Sequence, residues 1–227
     1  MRLFADCSDI AVMKSVADKV SGFTTNPSLM KAAGVTNYEP FGRQCVATFP
    51  DHSLSFEVIA DTLDGMRTQA QRIASWGDQV VVKIPVTTTD GTSTNPLVWE
   101  LQHEYGINVN VTAVFTLDQV LGLLSVTRSA RPHIISIFAG RIADTGIDPS
   151  QLIQETVELA GSSTDILWAS TREALNIKQA EDAGVHIITV TPDLLAKYAN
   201  YGKDLNTFSR ETVQMFYDDA RAAGLTL

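Results

Sequence analysis

Lys83 is the residue whose setting most favours covalent chemistry. It lies within residues 79–86, where the neighbouring valines and isoleucine are typical of a strand buried on both faces. Lysine is rarely fully buried, and burial disfavours its ammonium form. The neutral amine is a nucleophile that can condense with a carbonyl substrate to form an imine, or Schiff base. The alternative is a lysine whose ammonium group reaches solvent at a strand end.

Two acidic residues also lie in runs that are typical of strands. Asp6 is in residues 3–7 and Glu57 is in residues 54–60. A carboxylate near a buried amine shifts the proton affinities of both groups and suits acid–base catalysis. Taken alone, each carboxylate fits a paired structural group equally well.

The elements that position these residues alternate strictly. The predicted strands are residues 3–7, 22–25, 54–60, 79–86, 108–115, 133–138, 165–170 and 186–190. The predicted helices are residues 10–20, one that begins at Pro27, 38–47, 62–76, 95–105, 117–128, 149–160, 171–183, 192–198 and 207–223. Eight βα units predict a closed (β/α)₈ TIM barrel forming a single domain over residues 1–227. An open, doubly wound parallel sheet is the competing architecture.

In such a barrel the active site lies at the carboxyl ends of the strands. Candidate side chains collect at these ends, namely Asp6, Thr24, Asn26, Glu57, Lys83, Asn110, Thr112, Ser136, Phe138 and Ser170. Arg141 lies in the loop that we expect after the sixth strand, and Arg172 lies just beyond the seventh. These positions favour an anion site over two surface salt bridges.

Composition excludes several classes of partner. The chain has 17 basic and 26 acidic residues and a net charge of −9, which disfavours nucleic acid and anionic membranes. No histidine spacing or glycine-rich motif predicts a metal or a cofactor. Cys7 and Cys45 fit reduced thiols, and residues 1–6 lack a signal-peptide pattern, so we expect a cytoplasmic protein.

Seven segments, taken together, resemble one known family. They are FADCSD (4–9), TTNPS (24–28), FEV (56–58), VVKIPVT (81–87), NVT (110–112), FAGRI (138–142) and ASTR (169–172). The chain resembles the transaldolase family from its first strand to its last, in particular the short subfamily that includes fructose-6-phosphate aldolase. The combination of residues 24–28 with residues 83–85 is the most specific part of the match.

The resemblance implies a class I mechanism that uses no metal or cofactor. Lys83 would form an imine with the ketose carbonyl, and Asp6 would move the proton of the hydroxyl at the cleaved bond. Glu57 and Thr112 would hold the water that shuttles protons. The implied substrate-binding residues are Asn26, Asn110 and Ser136 for hydroxyls, Thr24 in the same shell, Phe138 as a wall, and Arg141, Ser170 and Arg172 for phosphate.

Two positions separate the activities of the family. Glu57 and Phe138 match transaldolases, whereas aldolases that release free dihydroxyacetone typically carry glutamine and tyrosine there. Cys7 departs from the usual threonine or serine, and residues 87–96 form a longer loop than expected. The resemblance also implies a decamer or pentamer in which the helix at residues 207–223 packs on a neighbouring subunit. The alternative is that this helix packs on its own barrel.

Four functions therefore remain open. The favoured one is a transaldolase that acts on sugar phosphates. The others are an aldolase that cleaves fructose 6-phosphate to free dihydroxyacetone, the same chemistry on a sulfonated sugar, and a non-catalytic barrel that binds sugar phosphates.

Overall fold

Eight parallel strands form the frame of the protein. The computed structural model describes residues 1–127, 133–162 and 164–226. The strands are β1 (Arg2–Asp6), β2 (Gly22–Thr24), β3 (Ser53–Glu57), β4 (Val80–Pro85), β5 (Val109–Val114), β6 (His133–Ile137), β7 (Thr164–Trp168) and β8 (Ile187–Val190). Each strand pairs with the next, and β8 pairs with β1, so the sheet is a closed barrel. The predicted (β/α)₈ fold is confirmed, and the open sheet was the wrong alternative.

Helices connect the strands. They are α1 (Ile10–Val16), α2 (Pro27–Ala32), α3 (Tyr38–Thr48), α4 (Leu63–Ala74), α5 (Asn95–His103), α6 (Leu117–Thr127), α7 (Ala139–Ala143), α8 (Ser150–Ala160), α9 (Leu175–Asp182), α10 (Pro192–Lys197) and α11 (Leu205–Ala222). Several begin at a side-chain cap that the sequence supplies. The Asp9 carboxylate accepts from the Ala11 and Val12 amides, and Thr62 Oγ1 accepts from the Gly65 amide.

Two predicted boundaries were wrong because side chains bind the backbone there. Strand β3 ends at Glu57 rather than at residue 60, since the Ile59 and Ala60 amides both donate to Gln69 Oε1. Helix α9 begins at Leu175 rather than at residue 171. There the Asn176 carboxamide accepts from the Arg172 amide and keeps the preceding residues out of the helix.

Two further expectations about the helices are wrong, and a third concerns a residue outside the described ranges. Arg141 lies in the short helix α7, not in a loop as predicted. The first helix ends at Val16 and is followed by a 3₁₀ turn, Ala17–Lys19, instead of continuing to residue 20. Arg128, the expected end of the sixth helix, lies outside the described residues.

Side chains of alternate strand residues fill the barrel. Phe4, Ile134, Leu167, Ala169 and Ile187 form one buried cluster, and each comes from β1, β6, β7 or β8 or the residue that follows it. Burying a large apolar side chain contributes about 1.5–3 kcal/mol, so this layer is a rigid floor. Two positions further along β1, β6 and β8, the inward residues are Asp6, Ser136 and Thr189, which are polar.

The chain divides into two compact units, Met1–Leu195 and Ala196–Leu227. The first contains the barrel. The second contains a 3₁₀ turn and α11, which begins where the Asp204 carboxylate accepts from the Thr207 amide. Helix α11 exposes six large apolar side chains, those of Leu205, Phe208, Val213, Met215, Phe216 and Tyr217. Among the residues that the structure describes, no helix combines the length and apolar character needed to cross a bilayer.

Candidate active site

A cavity of about 470 Å³ opens at the carboxyl ends of the strands. The predicted site residues that line it are Asp6, Thr24, Asn26, Glu57, Lys83, Thr112, Ser136, Phe138, Arg141, Ser170 and Arg172. Asn110 is fully buried directly behind Ser136. Thus the structure brings the whole predicted set together at one mouth of the barrel, whereas the chemical role of each residue stays a prediction.

Lys83 points into the barrel and is 6% exposed. Its Nζ donates to the Thr25 carbonyl oxygen at 2.7 Å and lies 3.1 Å from Glu57 Oε2. The strand register places Glu57 beside Lys83. The alternative in which the amine reaches bulk solvent is therefore wrong, and the amine has a carboxylate that can take its proton.

Asp6 lies at the end of β1, within the electrostatic field of Lys83 and Glu57. Thr24 Oγ1 donates to Asp6 Oδ1 at 2.8 Å. Burial raises the pKa of the Asp6 carboxyl, and this effect outweighs the lowering by the Lys83 charge and by the Thr24 hydrogen bond. A carboxyl with a raised pKa can both accept and return a proton closer to neutral pH.

Thr112 lies where β5 is irregular. The register with β6 shifts between Val111 and Val114, and Ala113 has a φ of 58°. A left-handed backbone is uncommon for a residue with a side chain. Thr112 Oγ1 is buried, borders the cavity and has no hydrogen-bond partner within the described ranges. Such an orphaned hydroxyl is suited to bind a polar group of a ligand or a water molecule.

Asn110 and Ser136 form a buried polar chain with a third residue, Ser55. Ser136 Oγ donates to Asn110 Oδ1 at 2.6 Å, and Asn110 Nδ2 donates to Ser55 Oγ at 3.2 Å. Because its proton is committed to Asn110, the Ser136 hydroxyl presents its lone pairs to the cavity. The Asn110 side chain therefore orients Ser136 rather than lining the cavity itself.

Asn26 has a structural task beside the predicted one. Its Oδ1 accepts from the Leu29 amide at 2.9 Å and caps the start of α2. The cap fixes the carboxamide at the edge of the cavity. Its side chain also hydrogen-bonds the Asp6 carboxyl. The amide Nδ2 has two protons, so it can donate to Asp6 and to a ligand.

The outer end of the cavity carries the two predicted anion-binding arginines. The Arg141 guanidinium lies 5.5 Å from the centre of the Phe138 ring, in cation–π contact. The Arg172 guanidinium binds both carboxylate oxygens of Asp144, at 3.1 and 2.6 Å, and donates to the Ser170 carbonyl oxygen. Asp144 thus occupies the fork of the Arg172 guanidinium.

Close backbone packing positions this predicted anion-binding end. Ser170 has a φ of 64°, and its carbonyl oxygen lies so near Gly140 that a Cβ on that glycine would be 1.7 Å away. Any side chain at Gly140 would displace the segment that carries Ser170 and Arg172. Gly140 therefore lets α7 and the β7–α9 connection lie together.

Five groups of the site were not predicted from the sequence. Most act through the backbone or through a second side chain. They are the Thr25 carbonyl, Ser55, Gly140, Asp144 and Thr189. Ser55 and Thr189 had a usable signal, because each lies two residues from another inward-facing position of its strand. No group of three or more His, Cys, Asp or Glu in residues 1–127, 133–162 and 164–226 is placed to hold a metal ion.

The family model described as transaldolase/fructose-6-phosphate aldolase matches residues 3–226. The chain belongs to this family. Two curated relatives are named probable transaldolase, one from Streptococcus equi subsp. equi and one from Streptococcus pyogenes serotype M2. Each is 35% identical over 206 residues, which cover 88% of this chain and 91% of the relative.

Solved structures show the same fold at low identity. The structure of 3-hexulose-6-phosphate synthase from Salmonella typhimurium has a TM-score of 0.61 at 14% identity and covers 84% of this chain and 89% of that one. The putative copper homeostasis protein CutC from Streptococcus agalactiae has a TM-score of 0.63 at 12% identity, covering 83% and 98%. These likenesses concern the fold alone.

Proposed function

We propose that this member of the transaldolase family is a transaldolase. It moves a dihydroxyacetone unit from a ketose phosphate, either fructose 6-phosphate or sedoheptulose 7-phosphate, to an aldose phosphate through an imine on Lys83. The observation that carries this proposal is the buried Lys83 amine between the Glu57 carboxylate and the Thr25 carbonyl. Membership in the family and the names of the relatives support the same activity.

Imine formation begins with Glu57. Its carboxylate takes a proton from the Lys83 ammonium, and the neutral nitrogen adds to the ketone carbonyl to give a carbinolamine. Glu57 returns the proton to the carbinolamine hydroxyl, which leaves as water while the C=N bond forms. The Thr112 hydroxyl, which lacks a hydrogen-bond partner among the described residues, holds this water, and the reverse sequence hydrolyses the imine.

Asp6 acts in the cleavage step. The bond that breaks joins the three-carbon unit to a carbon that bears a hydroxyl and leaves with the aldose. The Asp6 carboxylate removes the proton of that hydroxyl. The electron pair of that carbon–carbon bond moves into the iminium group and gives an enamine, and an aldose leaves. When the acceptor aldehyde binds, the enamine carbon attacks it, and Asp6 returns a proton to the new alkoxide.

Polar groups around the amine orient the three-carbon unit. We propose that the Asn26 Nδ2 group and the Ser136 hydroxyl bind its hydroxyls and that Asn110 acts through Ser136. Thr24 lies beside these groups, and the Phe138 side chain forms one side of the cavity. This fixed geometry supplies much of the rate enhancement because the reacting groups need no reorganisation.

Three groups at the outer end bind the substrate phosphate. Arg141, Arg172 and the Ser170 hydroxyl all line the cavity there. The phosphate must displace Asp144 from the Arg172 fork, which a dianion with two or more oxygens in reach can do. A sulfonated sugar would present a similar tetrahedral anion, so a substrate panel that includes one belongs in the assay.

An acceptor-dependence assay tests the transfer activity. We expect fructose 6-phosphate turnover to be slow alone and to accelerate when an aldose phosphate is added, because the enamine waits for an acceptor. Release of free dihydroxyacetone at the full rate without an acceptor would identify the alternative, fructose-6-phosphate aldolase. Binding of the sugar without turnover in either arm would identify the non-catalytic barrel.

We further propose a cytoplasmic homo-oligomer, a pentamer or decamer, that acts in the pentose phosphate pathway. The exposed apolar residues of α11 support an interface between subunits. Sedimentation of the wild type and of a Phe216→Glu variant tests it. Loss of the oligomer in the variant is expected, and a wild-type monomer would overturn it.

A further inference from the structure

We propose that Thr189 is a positioning residue whose hydroxyl donates to Thr24 Oγ1 and so strengthens the hydrogen bond from Thr24 to the Asp6 carboxylate. Thr189 lies on β8, is 4% exposed and lines the cavity with Asp6 and Thr24. Its Oγ1 lies 2.6 Å from Thr24 Oγ1, which in turn donates to Asp6 Oδ1. The inference rests on the proposed function of Asp6 as the acid–base group.

The number of protons fixes the direction of this chain. A threonine hydroxyl has one proton to donate and two lone pairs to accept. When Asp6 is a carboxylate it can only accept, so Thr24 donates to Asp6. The 2.6 Å contact between the two hydroxyls must then be a bond from Thr189 to Thr24.

The opposite polarity belongs to the other state of Asp6. A protonated Asp6 can donate to Thr24, and the Thr24 proton then turns towards Thr189. The two hydroxyls thus follow the proton on Asp6 through the reaction. Linked hydrogen bonds polarise one another, so the Thr189 bond makes Thr24 a stronger donor to the carboxylate.

The fold places Thr189 rigidly for this task. Ile187, two residues earlier on β8, belongs to the buried floor of the barrel. The Thr189 carbonyl oxygen accepts from Thr171 Oγ1 at 3.2 Å, which ties this strand end to the connection that carries Ser170 and Arg172. Thr189 therefore reaches the acid–base group through Thr24 and contacts the connection that carries Ser170 and Arg172.

Other groups also act on Asp6 and bear on the test. Lys83 on β4 and Glu57 on β3 are the charged groups that face it, and Cys7 is adjacent in the chain. The hydrogen bond from Thr24 lowers the pKa of Asp6 against the larger effect of burial. Weakening that bond raises the pKa further, so the acid limb of the cleavage rate moves to higher pH.

The experiment compares Thr189→Val, which keeps the shape and removes the hydroxyl, with Thr189→Ser, which keeps the hydroxyl. We expect Thr189→Val to shift the acid limb of kcat/KM upward by roughly 0.5 pH unit. On that limb the rate then falls about threefold. We expect KM to change little and Thr189→Ser to restore the wild-type profile.

Borohydride trapping separates this inference from the proposed function, because imine formation depends on Lys83 rather than on Asp6. If the wild type traps substrate and Thr189→Val has the wild-type pH profile, the positioning role is wrong. A shift in Thr189→Ser as large as in Thr189→Val would also contradict it, since the hydroxyl would not be the cause. Absence of trapping in the wild type would instead reject the proposed chemistry itself.

Discussion

Gly140→Ala is the substitution whose effect follows most directly from the backbone. The new Cβ would lie 1.7 Å from the Ser170 carbonyl oxygen, 2.8 Å from its carbonyl carbon and 3.1 Å from Arg172 Cγ. The first two atoms belong to the backbone, so no side-chain rotation relieves the clash. The connection between β7 and α9 must therefore move away from α7.

The size of the movement can be estimated. The oxygen must retreat by about 1.3 Å, the gap between 1.7 Å and the 3.0 Å below which Cβ atoms essentially never approach. A misplacement of about 1 Å in a substrate-positioning segment costs about 100-fold in rate. Overpacking of this kind costs about 1–3 kcal/mol, which lowers Tm by roughly 2–12 °C in a chain of this size.

The assay is kcat/KM for a phosphorylated ketose, measured beside transfer from an unphosphorylated one. We expect a fall of about 100-fold for the phosphorylated donor and a smaller fall for the other, because the displaced residues are the proposed phosphate ligands. Gly146→Ala is the matched control. Gly146 follows α7 and has a φ of 84°, but nothing lies within 4 Å of an added Cβ, so that variant carries backbone strain without a clash.

A Gly140→Ala enzyme with wild-type kcat/KM for phosphorylated donors and wild-type Tm would refute the reasoning. Equal losses for both donors would also count against the anion-binding role of Ser170 and Arg172. The Gly146→Ala control should lose some thermal stability and keep its preference for the phosphorylated donor.

Two further predictions concern charges. Folding raises the pKa of Asp6, so the protonated form is favoured in the folded state, and this favourable contribution is lost as pH rises from the unfolded value near 3.8 through the folded pKa. We therefore expect Asp6→Asn to raise Tm more at pH 7 than at pH 4 while it abolishes transfer, and the opposite trend in thermal melts would contradict this. Asp144→Asn frees the Arg172 guanidinium and removes a negative charge beside the anion site. KM for a phosphorylated ketose should fall by roughly two- to fivefold at low salt, with little change for an unphosphorylated donor, and an unchanged KM at every salt concentration would contradict it.

The sequence was sufficient for the frame of the fold. Each βα unit has its own apolar strand run followed by a segment of helical spacing. All eight strands were therefore predicted in the right order. Strand edges were less certain, because contacts far along the chain decide them. The Ile59 amide donates to Gln69, which lies ten residues later in the chain. No pattern of residues within β3 predicts that hydrogen bond.

The sequence also allows the candidate site residues to be selected by type and position, while their roles stay predictions. Lys83, Asp6 and Glu57 are unusual residues in apolar runs, and the barrel brings such residues to one mouth. Their distances and partners were not predictable. The 2.7 Å bond from Lys83 to the Thr25 carbonyl involves a backbone atom, which no residue type reveals.

The contact between Asp144 and Arg172 could not be predicted from the sequence either. The segment after β6 was expected to be a loop, so no sequence pattern indicated that Asp144 lies against Arg172. A five-residue helix, with Gly140 packed on the Ser170 carbonyl, brings that carboxylate into the guanidinium fork. The ion pair between Asp144 and Arg172 is therefore visible only in three dimensions.

The most direct test of the account is reductive trapping. The protein is incubated with fructose 6-phosphate and borohydride, and the modified peptide is identified by mass spectrometry, with Lys83→Met and Lys31→Met as matched variants. We predict one stable adduct on Lys83, none in Lys83→Met, and normal trapping in Lys31→Met, whose lysine is exposed on α2. Loss of the nucleophile should lower transfer by at least about 1000-fold. Transfer that persists in Lys83→Met, or an adduct on another lysine, would contradict the central claim.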